Sequence, residues 1–339
     1  MDHPSRMTPD QRLDDQAVPL PELIIPELSI VVPAYNEAEV LSSFHARLTA
    51  VMAGLGSSYE VVYVNDGSRD ATLSTMFALR DADPRVSIVN LSRNFGKEIA
   101  LTAGLDHARA SGAVVVIDAD LQDPPEVIPE LVAVWREGVD VVYATRRSRK
   151  GEGWLKRATA SLFYRVIGRA SGRINIPADT GDFRLMSRRA LEALLHLREQ
   201  HRFMKGLFAW IGFPSRAVYY DRAPRAAGET KWNYWRLWNL SIEGITSFTT
   251  APLIAATYLG FVTAVLAIVL MLRVVMNTLI NGDPVPGYPS LMAVVLFLGG
   301  VQLITLGIMG EYLGRIFNEV KRRPLYVVER YVAGGEVGE

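Results

Sequence analysis

The chain has 339 residues, 36 basic and 36 acidic side chains that cancel to a formal charge of zero, and no cysteine. Zero net charge gives no global field for nucleic acid, and the absence of thiols excludes disulfides, thiolate catalysis and cysteine-ligated zinc. Hydrophobic residues make up 49% of the chain, high for a water-soluble protein, with the excess concentrated near the C-terminus.

Residues 1–26 are polar, contain proline and lack the apolar core of a signal peptide, so they are expected to form a disordered lead-in to a domain that starts in the cytoplasm. From Leu28 onward, apolar strand-like runs alternate with helical stretches. The expected strands are Leu28–Pro33, Val61–Val64, Val86–Leu91, Val114–Ile117 and Val139–Ala144. Between them Glu37–Ala53, Asp70–Asp81, Gly96–Ala110 and Pro125–Glu137 carry apolar residues at helical spacing. Near-continuous apolar strands separated by helices predict an α/β domain whose mostly parallel sheet is covered on both faces. Neither Gly-x-Gly-x-x-Gly nor a Gly-Lys-Ser/Thr loop is present, which removes the dinucleotide fingerprint and the P-loop.

Polar residues follow four strands in turn: Tyr35-Asn36-Glu37, Asn65-Asp66-Gly67-Ser68, Ser92-Arg93-Asn94 and Asp118-Ala119-Asp120. Any one of these alone is an ordinary helix cap. Four on successive strand ends predict a ligand site at the carboxyl edge of the sheet. There the Asp-x-Asp offers hard oxygen ligands to Mg²⁺ or Mn²⁺ bridging a diphosphate. His107, His196 and His201 have no metal-ligand spacing, and the sequons at Asn90 and Asn239 carry no weight on a cytoplasmic face.

After Arg149 the pattern loosens. Trp154–Arg169 has the spacing of an amphipathic helix with basic residues on one side, and Asp179-Thr180-Gly181-Asp182-Phe183-Arg184 is a polar segment. Lys231–Phe248 holds Trp232, Trp235 and Trp238 directly before an apolar run, the composition of an interfacial helix. Ala251–Leu272 and Ser290–Gly310 contain no charge, and each is long enough to cross roughly 30 Å of hydrocarbon. The link between them, Asn277–Pro289, has no Lys or Arg, whereas Arg315, Lys321, Arg322 and Arg323 follow the second run. The positive-inside rule then puts the link outside and both chain ends in the cytoplasm.

The motifs VVPAYNE, VNDGSRD, LSRNFGKE and DADLQDPPE resemble those of family-2 glycosyltransferases of the GT-A fold. DTGDFRLMSR at 179–188 and RAPRAAGETKWNYWRL at 222–237 are similar to the polyprenyl-phosphate glycosyltransferases, and the likeness runs from about residue 28 to 323. The resemblance implies a Rossmann-like GT-A domain over 27–230, an interfacial helix over 231–250, a transmembrane hairpin over 251–313 and a cytoplasmic tail over 314–339. It also implies a multi-pass protein of the inner (plasma) membrane, assembled as a homo-oligomer, a tetramer in the family, with no nucleic-acid partner. The implied reaction is inverting transfer of one hexose, glucose or a relative, from a nucleoside-diphosphate sugar such as UDP-sugar to polyprenyl phosphate.

Pro33, Tyr35, Glu37 and Asp66 are implied as the nucleoside pocket, with Asp118 toward the ribose. Asp120 and Gln122 are the expected metal or diphosphate ligands, and Asp120, Asp182 and Arg184 the expected catalytic set. An acceptor phosphate is largely ionised at neutral pH, so it needs cations to hold it rather than a strong base. Arg146, Arg157, Arg222, Arg225 and Lys231 are the candidates. Two rivals remain at this point. A processive polysaccharide synthase would carry Gln-x-x-Arg-Trp and more spans, and a non-catalytic nucleotide-binding membrane scaffold would not need the Asp-x-Asp.

Overall fold

The computed structural model describes residues 25–147, 180–221, 250–281 and 287–335. The expected helices at 154–169 and 231–248 lie outside them.

Four strands form the centre of the sheet: β1 Leu28–Ala34, β2 Tyr59–Asn65, β3 Val86–Leu91 and β4 Ala113–Val116, with every residue buried. Their β-branched side chains suit a pleat covered on both faces. On one face lie α1 (Ala38–Leu55), α2 (Thr72–Ala82) and α4 (Ile128–Arg136), which pack Leu41, Phe44, Met76 and Leu131 onto it. On the other lie α3 (Lys97–Asp106), α5 (Arg188–Leu195) and α6 (Met204–Trp210), contributing Leu101, Leu191 and Leu207. Gly104 lets α3 press against the strands, since a Cβ there would stand 2.4 Å from Val31 Cγ1. Buried Glu60 is satisfied by Ser29 Oγ at 2.5 Å and by Arg109 Nε at 2.8 Å, as a carboxylate inside a core must be.

The remaining strands are β5 Val141–Arg146, β6 Thr180–Ser187, β7 Ser215–Tyr220 and β8 Val328–Val332. The order is β7-β5-β6-β4-β1-β2-β3-β8. Parallel pairing joins β4 to β1, β1 to β2, β2 to β3 and β5 to β7, whereas β6 runs antiparallel between β4 and β5. The sheet is therefore mixed, with its parallel centre as expected. Because β2 and β4 flank β1 on opposite sides, the crevice of an open α/β sheet falls at the end of β1 and β4.

Part of the segment expected as a cytoplasmic tail, 314–339, pairs with the sheet. β8 pairs antiparallel with β3, Ile88 opposite Val332 and Leu91 opposite Val328. Asn90 Nδ2 donates to Glu329 Oε2 at 2.9 Å, and Ser92 N–H donates to Val327 O at 3.0 Å. A five-residue strand with two glutamate and arginine positions facing solvent gave no periodic apolar signal, yet it covers an edge that would otherwise template pairing with another chain.

Two long helices precede it, α7 Ala251–Asn281 and α8 Tyr288–Val320. Their apolar windows, Pro252–Arg273 and Phe297–Val320, are long and apolar enough to cross a membrane, and only 11% of the first and none of the second is buried. Neither window is packed into the core of the α/β domain. Leu303 is 72% exposed and Phe261 68%, apolar surface of a kind that water-soluble monomers rarely show. The far end of α8 is tied to the α/β domain. Gln200 N–H donates to Glu319 Oε1 at 2.7 Å, Gln200 Nε2 donates to Arg323 O at 2.6 Å, and Tyr326 Oη donates to Asp106 Oδ2 at 2.6 Å.

Candidate active site

A cleft of about 390 Å³ opens at the crevice between β1 and β4. Six residues singled out from sequence, Pro33, Tyr35, Glu37, Asp66, Asp118 and Asp120, all line it, together with Asn94, Gly96 and Lys97. The loops that carry them are locked to one another. Asn36 N–H donates to Ser68 Oγ at 3.0 Å, Asn36 Oδ1 accepts from Arg69 N–H at 2.9 Å, and Glu37 N–H donates to Thr72 Oγ1 at 2.8 Å. Gly67, at φ 63°, lies so close to the next loop that a Cβ would meet Arg93 C at 2.4 Å. Of the three residues with side chains in left-handed backbone among the described residues, Asn36 at φ 56° and Leu121 at φ 58° lie on loops bordering the cleft. Asn tolerates that region; a leucine there is strained by about 1–2 kcal/mol, and such strain concentrates at functional sites.

Asp66 is nearly fully buried, and its carboxylate accepts from Phe95 N–H at 2.7 Å and Gly96 N–H at 3.0 Å. Burial pushes its pKa up, against the pull of those two bonds and of Arg93. The group fixes the loop before α3 as well as lining the pocket. Asp120 turns its Oδ1 back to Gln122 N–H at 3.1 Å. Gln122 is 6% exposed and is not among the residues that line the cleft.

At the mouth, Lys97 Nζ donates to Asp118 Oδ2 at 2.6 Å and contacts Asp182 Oδ2 at 2.7 Å. One ammonium thus joins β4 to β6. Burial opposes its charge, yet the two carboxylates hold its pKa well above the ordinary lysine value. Asp118 is raised by burial despite Lys97, whereas Asp182 is held well below the usual carboxylate range: burial works against its charge, but Lys97 and Lys205 outweigh it. Beside them Glu98, which accepts from Met204 N–H at 3.1 Å, is raised to about 7 by burial and by the charge on Asp182. Lys205 faces the same group with its pKa lowered by burial.

Arg184 is 4% exposed. Its Nη2 donates to Gly181 O at 2.8 Å, its Nε donates to Asp182 O at 3.2 Å, and its guanidinium lies 3.6 Å from the Phe208 ring centroid. Burial lowers its pKa to about 10, still leaving it charged at neutral pH. It grips the backbone that presents Asp182. Arg146, expected in a phosphate cradle, lies on β5 beside Tyr220, which in turn donates to buried Asp123. Arg157, Arg222, Arg225 and Lys231 lie outside the described residues.

Lys97, Glu98 and Lys205 were not singled out from sequence. Lys97 carried a signal: it is the first residue of α3, where the helix dipole disfavours a cation, so its place there calls for a partner outside the helix.

Residues 29–195 match the Glycosyl transferase family 2 domain. An uncharacterized glycosyltransferase of Synechocystis is 56% identical over 89% of this chain and 94% of its own length. The chain belongs to glycosyl transferase family 2. Its mixed sheet with a crevice at the β1–β4 switch is the GT-A fold of that family, followed by the two apolar helices, and the protein is a glycosyltransferase. Other family members include a prophage-derived bactoprenol glucosyl transferase of Shigella flexneri, 47% identical over 90% of this chain and 98% of that one. A prophage bactoprenol glucosyl transferase homolog of Escherichia coli is 46% identical over 90% and 99%. Among solved structures, a glucosyl-3-phosphoglycerate synthase from Mycobacterium tuberculosis, in complex with Mn²⁺, UDP and phosphoglyceric acid, aligns with TM-score 0.49 at 20% identity over 65% of this chain and 76% of that one.

Proposed function

We propose that this glycosyltransferase moves one glucose from UDP-glucose to polyprenyl (undecaprenyl) phosphate at the cytoplasmic face of the membrane, with inversion at the anomeric carbon. The observation that carries the reading is the near-full-length similarity, at 46–47% identity, to proteins named bactoprenol glucosyl transferases. The two exposed apolar helices and the cationic end of α8 support the membrane side of it. The same reading makes the protein a homo-oligomer of the inner membrane, with 231–250 lying in the interface.

In this reading the nucleoside lies against Pro33, Tyr35, Glu37 and Asp66, and the diphosphate points to the Asp-x-Asp. The donor set suits Mg²⁺ or Mn²⁺, because Asp118 and Asp120 leave one strand end and all the available donors are oxygens. Among the described residues no three His, Asp or Glu converge as a complete ligand shell, and Mg²⁺ at such sites takes one or two carboxylates and leaves the rest to substrate phosphates. Asp120, with Gln122 behind it, would hold the ion, which when bound supplies Lewis-acid stabilisation of the departing diphosphate.

The chain's own residues do the rest. One oxygen of the acceptor phosphate, already ionised, forms the new bond to the anomeric carbon as the bond to the diphosphate breaks, so no proton has to be removed. Asp182 is held ionised by Lys97 and fixed by the grip of Arg184 on its backbone, which suits it to orient rather than to donate a proton. The cations Arg146, Arg157, Arg222, Arg225 and Lys231 remain the cradle for the lipid phosphate. Purified enzyme with undecaprenyl phosphate and a panel of radiolabelled nucleotide sugars tests the proposal. Lipid-extractable label from UDP-glucose alone is expected; transfer only from a GDP-sugar, or only to a soluble acceptor, would overturn it.

A further inference from the structure

The turn after β4 that carries Asp118 and Asp120 has to be held by contacts beyond itself. Leu121 within it stands at φ 58°, a conformation unfavourable for a leucine, and such backbone persists only where the surroundings fix it. A fixing contact lies at Asp123. This residue is 3% exposed, and its Oδ1 accepts from the hydroxyl of Tyr220, itself buried. A carboxylate cut off from water needs such a donor. Tyr220 is the last residue of β7. Arg146, opposite it on β5, hydrogen-bonds to the same hydroxyl. Gly181 on β6 lies against the group, since a Cβ there would stand 3.9 Å from Asp123 Oδ2 and 3.9 Å from Arg146 Nη2. The Tyr220 ring meets that of Phe183 edge-on, with centroids 6.0 Å apart.

One side chain therefore touches both halves of the catalytic arrangement. Its hydroxyl holds the residue three places after Asp120, and its ring packs on the residue after Asp182. Neither Tyr220 nor Asp123 lines the cleft. We propose that Tyr220 is a positioning residue whose hydroxyl, through Asp123, holds the Asp-x-Asp turn in the conformation in which Asp120 takes the divalent cation of the donor diphosphate. Support of the core alone would be a different role, one that lowers stability and leaves affinity for the ion as it was. The proposal rests on the reading of Asp120 as the carboxylate that holds the ion.

Mn²⁺ binding to the detergent-solubilised full chain in the presence of UDP tests it, read from the electron paramagnetic resonance signal of free Mn²⁺ against a protein-free control. Tyr220→Phe deletes one oxygen and should weaken binding about tenfold, the size of a buried acceptor left unsatisfied. Asp123→Asn keeps a carbonyl oxygen for the hydroxyl and should bind the ion within about threefold of the unaltered protein. Asp123→Leu should match Tyr220→Phe. Because both cut the same bond, the Tyr220→Phe, Asp123→Leu double variant should lose no more than the worse single variant. Met76→Ala opens a cavity in the core beneath α2 and should lower the urea midpoint while leaving Mn²⁺ binding unchanged. Urea transitions of all the variants establish that they fold. Undiminished binding in Tyr220→Phe would overturn the proposal, as would additive losses in the double variant or an Asp123→Asn that binds no better than Asp123→Leu. The absence of Mn²⁺ uptake by the unaltered protein would sink the metal reading of Asp120 and the proposal with it, whereas uptake that survives Tyr220→Phe intact sinks the positioning role alone.

Discussion

Replacing Lys97 with methionine keeps the side-chain stem and removes the one charge that joins Asp118 to Asp182. The two contacts are 2.6 and 2.7 Å, so the facing carboxylate oxygens are at most about 5 Å apart, and their repulsion without the ammonium is about 1 kcal/mol in a water-like medium and about 3 kcal/mol at an effective dielectric near 20. The side chain of Lys97 is 48% exposed, but that of Asp182 is only 11% exposed. Water therefore relieves part of the loss, and a destabilisation of about 1–2 kcal/mol is expected rather than the 3–5 kcal/mol of a fully buried broken pair. Asp118, already raised by burial, should take up a proton more readily. Transfer should fall about ten- to a hundredfold, with the acid limb of the pH–rate profile moving to higher pH, while Lys97→Arg retains most activity. Initial rates across pH, beside urea denaturation of each variant, measure both effects. A Lys97→Met enzyme with the unaltered rate and profile would refute the idea that this ammonium organises the site.

Asp120→Ala should abolish transfer, and EDTA should do the same to the unaltered enzyme until Mg²⁺ or Mn²⁺ is restored; full activity in EDTA would remove the ion from the reading. Glu98 is raised to about 7, so the folded state binds a proton that the unfolded chain releases near the ordinary glutamate value. Its contribution to stability is therefore lost as pH climbs from about 4.5 toward 7, and Glu98→Gln should flatten that part of a plot of denaturation midpoint against pH. With no native cysteine to interfere, an impermeant thiol reagent on intact cells should modify a cysteine placed at 283 and spare one at 330. Labelling in the opposite sense would contradict the hairpin.

The parallel centre was legible because each of its strands is buried on both faces and so reads as an unbroken apolar run, and the cleft was legible because polar residues punctuate those runs at their carboxyl ends. β8 was not, since a five-residue edge strand whose three central residues are exposed leaves no such run. The insertion of β6 between β4 and β5 depends on pairings among segments far apart in sequence, which local periodicity does not encode. The Lys97–Asp182 contact is hidden for the same reason, and only the misplaced charge at the start of α3 betrayed it. Gln122, expected beside Asp120 as a metal or diphosphate ligand, follows a left-handed turn at Leu121 and is buried, a local conformation that the sequence does not announce.

Biogenesis is constrained by where the last strand comes from. β3 ends at Leu91, and the strand that covers it starts at Val328, so a ribosome has released almost the whole chain before the sheet can close. Both apolar helices are synthesised in between and α8 leads directly into that strand. The order of events follows: the catalytic domain remains open at one edge until α8 has brought its end back to the domain. A molecule that fails to insert keeps a bare β3 edge, which is the feature that marks a chain for aggregation or degradation. On the membrane reading proposed above, insertion of the helices and completion of the sheet become a single maturation step.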